Sequence, residues 1–520
     1  MKKILSLVLA LVMILGLAAC NKTPDPTTPA GTDPVQSGEA TKPIETEKPK
    51  TYVEELTVSM TAPDTRDPHR IMNNASDTCF KMIYNQLVFW NFDTNTLDPE
   101  LATSWEISPD GLEYVFHLRD DVTFSNGQPF EADDVVYTFK ERAAQTVAAG
   151  GSYQIGDLTN ILSDVVAIDK YTVKLILSEP NADIIIRLYL QPYSIFNREA
   201  CEADPENGYK IGTNGWVWAE YTPAESASFT KFEGSWVWKD HPTHTKKINF
   251  KKYAEVGARA AALEAGEIVA GGLDTINAGI LPEGKFQTEV FAAETLCYAF
   301  FNMKRGIAKD DVNLRKAIAH AYDRNEINDA MYEGDAVITN TLWGKSQVGL
   351  YTDVEDKMEY DPDLAKEYLK KSNHPDGNFT LVLWVHNKWD DAGLVMQDNI
   401  QKTLGCEVKL ISVDTSRLNA AVKRIMNNED LPEDYYDMCV YNISLNPTGN
   451  RFAYTTNLKS TTNRAFFYNA EMEELYKKAV TLTNDAERQE VYKRIQIIMN
   501  EQLAYLPWMY ETAPRPGMSA

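Results

Sequence analysis

The sequence predicts an α/β protein of more than one domain. Three observations carry this. From Phe379 to Tyr441 the chain alternates β-α-β-α-β, the pattern of a parallel sheet with right-handed crossovers. Upstream, Glu55 to Leu118 reads as short alternating strands punctuated by turns. Roughly 470 residues follow a proline-rich leader, enough for two or three domains with substantial cores.

The first twenty residues stand apart from that fold. Lys2 and Lys3 precede an apolar run from Ile4 to Leu17, which is short for a membrane span and fits a signal h-region. Leu17-Ala18-Ala19-Cys20 then resembles a bacterial lipobox, which implies that residues 1–20 are a signal peptide and that Cys20 is lipidated. Residues 21–50 hold six prolines and six threonines, with Val35 and Ile44 the only larger apolar side chains. Such a segment buries too little to offset its ordering entropy, so it reads as an extended disordered linker.

Composition narrows the partners. The chain is 44% hydrophobic and 24% charged, with a net charge of −24. That balance disfavours nucleic acid and bare anionic membrane. Beyond Cys20, five cysteines are widely spaced without a CxxC, which argues against a disulfide framework while leaving room for one bridge. His241 and His244 flank a Pro-Thr pair with no further ligand at helical spacing. HExxH, GxSxG and a phosphate-binding loop are all absent, so the sequence nominates no catalytic set, no metal site and no cofactor.

The elements follow in order. Glu55 to Met60 alternates as a strand, and a polar loop carrying Asp64, Asp67 and His69 follows it. Trp105 to Ser108 leads into the turn Pro109-Asp110-Gly111. After it Tyr114, Phe116 and Leu118 alternate with polar neighbours, making a hairpin with one buried face and His117 on the other. Leu314, Ala317, Ile318 and Ala321 mark a scaffold helix. Asp323 and Glu326 form a capping box for the next helix, which Gly334 can end. Asp361-Pro362 starts a helix that runs to about Lys371. Phe379 to Val385 is a near-continuous apolar strand covered on both faces. A helix from Ala392 stops at Gly405, a strand runs from Cys406 to Val413, a helix from Ser416 to Met426, and a strand from Tyr436 to Tyr441. Met472 to Ala479 and Glu487 to Met499 are helical, with Lys493 and Arg494 on a solvated face.

Several segments together resemble one family. Leu101-Ala102-Thr103-Ser104-Trp105, Asp110-Gly111, Tyr114 to Phe124 and Asn126 to Val135 are similar to the signature of the family 5 solute-binding proteins of bacterial ABC importers. Gly212 to Trp216, Arg259 to Ile268, Phe301-Asn302, Val312 to Ile318, Asp323-Arg324 and Glu487-Arg488 continue the similarity in family order. The resemblance implies a two-lobed, periplasmic-binding-protein-like (type II) cleft fold with an additional subdomain. Lobe 1 would be discontinuous (51–85, 212–295 and 485–520), the subdomain 86–211 and lobe 2 296–484. Hinges are expected near Glu294 to Phe301 and near Thr483. The implied role is not enzymatic. It is capture of an oligopeptide-type solute and delivery to permease subunits, by a monomer tethered outside the cell membrane.

Ligands of open α/β sheets sit beyond the carboxyl ends of the strands. Two such ends stand out, His386-Asn387-Lys388-Trp389 and Asn442 to Pro447. In peptide-binding relatives the second carries an Asp that pairs with the peptide's α-ammonium. Here Tyr441 matches the preceding aromatic, Ser444 takes the place of that Asp, and Asn446-Pro447 matches the pair that follows. A hydroxyl does not replace a buried carboxylate against an ammonium. The amine therefore needs another carboxylate, with Asp64 or Asp67 as candidates, or the ligand has no free amine there. The ligand-binding candidates are thus Tyr441, Asn442, Ser444, Asn446, His386, Trp389, Asp64 and Asp67. Among the aromatics Trp343, Trp384 and Trp216 also lie near the cleft, with Trp384 suited to a packing layer and Trp389 the best ligand contact. An oligosaccharide receptor and a non-transport extracellular sensor remain the alternatives. His386 and His69 keep a nickel chelate in view, and a hydrolase lacks a nominated nucleophile and base.

Overall fold

The computed structural model describes residues 52–70, 77–151, 153–273, 275–282 and 284–518; the signal segment, Cys20 and the Pro/Thr linker lie outside them. Strand β1 (Glu55–Ser59) opens the described chain. A hairpin of β2 (Val88–Asn91) and β3 (Thr96–Pro99) follows it. Next come β4 (Ala102–Ile107), β5 (Glu113–Leu118), β6 (Leu162–Asp169) and β7 (Thr172–Leu177). They form an antiparallel sheet in the order β4-β5-β7-β6. Then β8 (Trp216–Thr222), β9 (Ser226–Lys231) and β10 (Lys247–Lys251) return to β1, giving the order β1-β10-β9-β8.

The β4–β5 hairpin forms where the turn chemistry puts it. Gly111 takes φ +70°, which an L side chain rarely adopts, and its N–H donates to the Ser108 carbonyl at 2.9 Å. Tyr114 and Phe116 are fully buried, while His117 faces out beside Glu106 at 3.6 Å.

The second half builds a six-stranded sheet. It begins with the long strand β11 (Phe286–Phe301), then helices α1 (Val312–Ala319) and α2 (Arg324–Tyr332) and the short β12 (Val337–Ile338). Helix α3 (Pro362–Lys371) starts where the sequence places it, with Asp361 accepting from the Asp363 and Leu364 N–H groups. The alternation β13 (Thr380–His386), α4 (Asp390–Leu404), β14 (Glu407–Val413), α5 (Thr415–Met426), β15 (Met438–Ser444) matches the predicted β-α-β-α-β run. Gly405 closes α4 in the left-handed region at φ 72°. Helices α6 (Ala470–Thr481) and α7 (Asp485–Gln502) precede the final strand β16 (Tyr505–Met518).

Two features go beyond the sequence reading. The sheet is mixed: β13 pairs in parallel with β14 and β15, but β15, β11 and β16 pair antiparallel, in the order β12-β16-β11-β15-β13-β14. The second feature concerns the C-terminal helix. Val491, Tyr492, Ile495 and Ile498 of α7 share a core with Tyr298, Phe300, Trp384 and Tyr436. The apolar stripe of α7 is thus buried against the six-stranded sheet. The segment that accompanies β11 is β16, paired antiparallel from Phe286↔Met518 to Phe300↔Tyr505. Phe286, at the start of β11, packs instead against Ala260 and Leu263 of the Val256–Ala265 helix.

Cys79, Cys201, Cys297, Cys406 and Cys439 are all free thiols and all buried. Among the described residues no helix is long and apolar enough to cross a membrane.

One ion pair makes stability depend on pH. His320 Nε2 lies 3.2 Å from Asp356 Oδ1, and its Nδ1 lies 2.7 Å from the Glu359 carbonyl. Burial opposes the charged imidazole, but hydrogen bonds to Asp356 and Glu359 hold its pKa above the ordinary value. Burial opposes the charged Asp356 carboxylate, but hydrogen bonds from His320 and the Met358 N–H hold its pKa below the ordinary value. A raised histidine stabilises the fold fully below its unfolded pKa of 6.5, and this is lost as pH rises through the folded value. A lowered carboxylate stabilises above its unfolded pKa of 3.8, and this is lost as pH falls through the folded value. The expected result is that the wild-type melting temperature falls from about pH 6 to about pH 8 more steeply than that of His320→Asn. Parallel curves would show that the pair contributes nothing.

Candidate functional site

The carboxyl ends of β13, β14 and β15 meet at one edge of the six-stranded sheet. His386 ends β13 and caps the short turn after it, its Nδ1 accepting from the Lys388 N–H at 3.2 Å. That assigns the ring proton to Nε2, which lies 3.2 Å from Thr415 Oγ1. Thr415, the first residue of α5, is in turn 3.3 Å from the Tyr441 hydroxyl. The His386 ring stands edge-on to Tyr441 at 5.6 Å. Burial, then the neighbouring Lys388 charge, holds His386 below its ordinary pKa. It is therefore a neutral group at the edge.

The other face of Tyr441 is covered. The Arg464 guanidinium lies 4.1 Å from its ring centroid, a cation–π contact, and Nη2 donates to Asn419 Oδ1 at 3.2 Å. Arg464 Nε is buried without a hydrogen-bond partner. Ser444 is exposed at the end of β15, and its carbonyl accepts from Arg451 Nε at 2.9 Å.

Asn442 points to the opposite face of the sheet. Its Nδ2 donates to Glu511 Oε1 at 3.0 Å, and Lys388 Nζ donates to Glu511 Oε2 at 2.8 Å. Cys297, paired with Asn442 across β11, lies 3.5 Å from the same carboxylate. Glu511 reaches this position because the β11–β16 register shifts between Ala292 and Leu296, opposite Tyr510 to Thr512. A register shift of this kind re-aims a side chain.

The sequence candidates divide. His386 and Tyr441 come together at this edge with Ser444 exposed at the same strand end, while Asn442 faces Glu511 on the opposite side of the sheet. Asn446 stands beside the edge and fixes the following turn, its Oδ1 accepting from the Thr448 N–H at 3.2 Å and hydroxyl at 2.8 Å. Trp389 does not lie open on a polar loop. It is 3% exposed and packs in the core with Met396 and Val385. Its indole is apolar enough to fill the space between β13 and α4, whatever the polarity of its sequence neighbours. Trp343 and Trp384 are buried too, and Trp384 Nε1 donates to the Asp434 carbonyl at 2.8 Å.

Asp64 and Asp67 sit on the loop after β1. Asp67 is buried and bonded to the Arg142 guanidinium and the His69 N–H, while Asp64 is exposed. Among the described residues neither touches the Tyr441 cluster. His69 is fully buried, and burial pushes its pKa down to about 3. No group of three or more metal-ligating side chains occurs among the described residues.

Sequence reasoning missed Arg464, Arg451, Thr415 and Glu511. Only Glu511 left a trace, as an acid inside an apolar final strand.

Comparison with known proteins now adds to this geometry. The profile for bacterial extracellular solute-binding proteins, family 5 (Middle), matches residues 96–465. Heme-binding protein A of Haemophilus influenzae is 25% identical over 476 residues, covering 82% of this chain and 81% of that protein. The dipeptide-binding protein of Escherichia coli is 26% identical over 467 residues, covering 84% of each. The crystal structure of the ABC transporter substrate-binding protein CtaP from Listeria monocytogenes superposes with a TM-score of 0.78 at 22% identity, covering 89% of this chain and 94% of that one. It shares the fold, which is that of periplasmic-binding-protein-like type II proteins. The family is one of solute-binding transport components and not of enzymes. With its profile matched over well more than half of its length, the chain belongs to the family 5 bacterial extracellular solute-binding proteins.

Proposed function

We propose that this protein captures a peptide-type solute in a cleft at the β13–β15 edge and presents it to the permease of an ABC importer. The observation that carries this is the meeting of His386 and Tyr441, with Ser444 exposed at the same strand end, at the carboxyl ends of parallel strands, where α/β sheets hold ligands. The cleft would close by rotation of the β1–β10 half against the six-stranded half about β11 and β16. Only a ligand that touches both halves shifts that equilibrium. Cys20 would carry the lipid, with residues 21–50 as tether, and the protein would work as a monomer at the outer face of the membrane.

An oligosaccharide receptor is the weaker reading. Trp343, Trp384 and Trp389 are at most 3% exposed, and Arg464 already lies against Tyr441. Few aromatic faces are left for a sugar.

The test is a thermal-shift screen of the full chain against pooled di- to hexapeptides, α- and β-linked oligosaccharides and Ni²⁺ chelates. Ligand at a hundred times its dissociation constant adds about 2.7 kcal/mol to stability. A shift with peptides alone is expected. A shift with sugars alone, or with nothing, overturns the reading. Incorporation of labelled palmitate that disappears in Cys20→Ser checks the anchor separately.

A further inference from the structure

The charges at this edge are unevenly matched. Its one carboxylate on β16, Glu511, is engaged by Lys388 and Asn442. Arg464 and Arg451 have no carboxylate within 4.0 Å among the described residues, and bond only to Asn419 Oδ1 and the Ser444 carbonyl. Other shielded arginines are better satisfied: Arg142, Arg187 and Arg488 pair with Asp67, Asp157 and Asp183, and the acid-free Arg315 and Arg324 donate to three and four acceptors, whereas Arg464 has one and a buried Nε with none. In a chain with 75 acidic residues against 51 basic ones, two arginines left without an acid are not a matter of supply.

The surroundings favour an anion. The side chain of Asp414, the nearest acid on α5, accepts from the Arg417 N–H at 2.7 Å and so caps that helix. Stacking on Tyr441 fixes the plane of Arg464, and Asn419 takes one of its N–H groups. A guanidinium held this way offers its remaining N–H groups as a fork, which matches two oxygens of a carboxylate.

We propose that Arg464, seconded by Arg451, is an oxyanion subsite that binds the free α-carboxylate of the solute. The inference rests on the peptide-type reading above and gives the ligand an orientation. The carboxylate end lies at the Ser444 edge, where relatives place an ammonium.

The test compares pooled di- to hexapeptides as free acids and as C-terminal amides, by thermal shift and calorimetry on the full chain. Inorganic phosphate and acetate serve as bare oxyanions. Free acids are expected to bind at least about tenfold more tightly than amides. Arg464→Gln should abolish that preference, and Arg464→Lys should restore part of it. Arg451→Gln should weaken it without loss of fold, and the unliganded melting temperature of each variant separates misfolding from lost binding. Equal binding of acids and amides overturns the subsite and leaves the peptide reading standing. A preference that survives Arg464→Gln also overturns it. Binding of phosphate or acetate without either peptide form overturns the assignment to a peptide carboxylate. No shift with any peptide overturns the functional reading, and this proposal with it.

Discussion

Replacing Asp183 with alanine is expected to cost about 3–5 kcal/mol, the range for stranding one partner of a buried ion pair. Asp183 and Arg488 are joined by a hydrogen-bonded salt bridge whose side chains are 4% and 3% exposed. They belong to different parts of the fold: Asp183 follows the four-stranded β4-β5-β7-β6 sheet, and Arg488 lies on α7. The Ala182 N–H donates to the Val480 carbonyl at 2.6 Å alongside them. A cavity of about 480 Å³, lined by Trp90, Trp105, Ile186, Val348 and Arg488 among others, adjoins the pair. Loss of the carboxylate leaves a buried guanidinium whose only other acid among the described residues, Asp485, is 88% exposed at 3.6 Å. The double variant Asp183→Leu/Arg488→Met should cost clearly less than either single change, because no charge is left unpaired. Urea unfolding followed by tryptophan fluorescence measures both. Additive single effects would mean that the pair is not coupled.

Arg324→Leu should be comparably damaging, at about 3–5 kcal/mol, since it removes a buried charged donor from four acceptors at once. Its Nη1 donates to the Thr339 and Pro507 carbonyls at 2.7 and 3.1 Å. Nη2 donates to Asn340 Oδ1 at 2.8 Å and to the Lys357 carbonyl at 2.7 Å. Arg324 is 6% exposed, so water does not readily replace these bonds. One side chain thus ties α2, the loops at 339–340 and 357, and the final strand. Arg324→Lys, with a charge but no fork, should fall between wild type and Arg324→Leu. A loss below about 1 kcal/mol for Arg324→Leu would show that the four acceptors find other donors.

Local signals in the sequence were read well. Asp361-Pro362, the Pro109-Asp110-Gly111 turn and Gly405 each determine the backbone within a few residues, and each occurs where expected. The β-α-β-α-β run is legible for the same reason. What sequence did not disclose depends on distant partners. The place of α7 follows from its contact with Tyr298 and Phe300, nearly two hundred positions away. Trp389 looks exposed in sequence because its neighbours His386, Asn387 and Lys388 are polar, while the wall it fills is contributed by α4. Arg464 is twenty-three positions beyond Tyr441, and no periodicity connects them. Ser444 is different. Its lack of a carboxylate was visible in the sequence, but the arginines around it were not.

The five buried thiols have a practical consequence for following the molecule as it opens. Cys79 and Cys201 lie under the first sheet, Cys297 and Cys406 on one face of the six-stranded sheet, and Cys439 on the other. Burial pushes Cys201 and Cys406 up to about 11 and Cys79 up to about 12, so at neutral pH the nucleophilic thiolate is scarce in the native state. Each layer therefore carries its own latent label, silent while closed and alkylated at the rate at which that layer breathes. Mass spectrometry of timed alkylation would rank the layers by opening free energy without a single engineered residue.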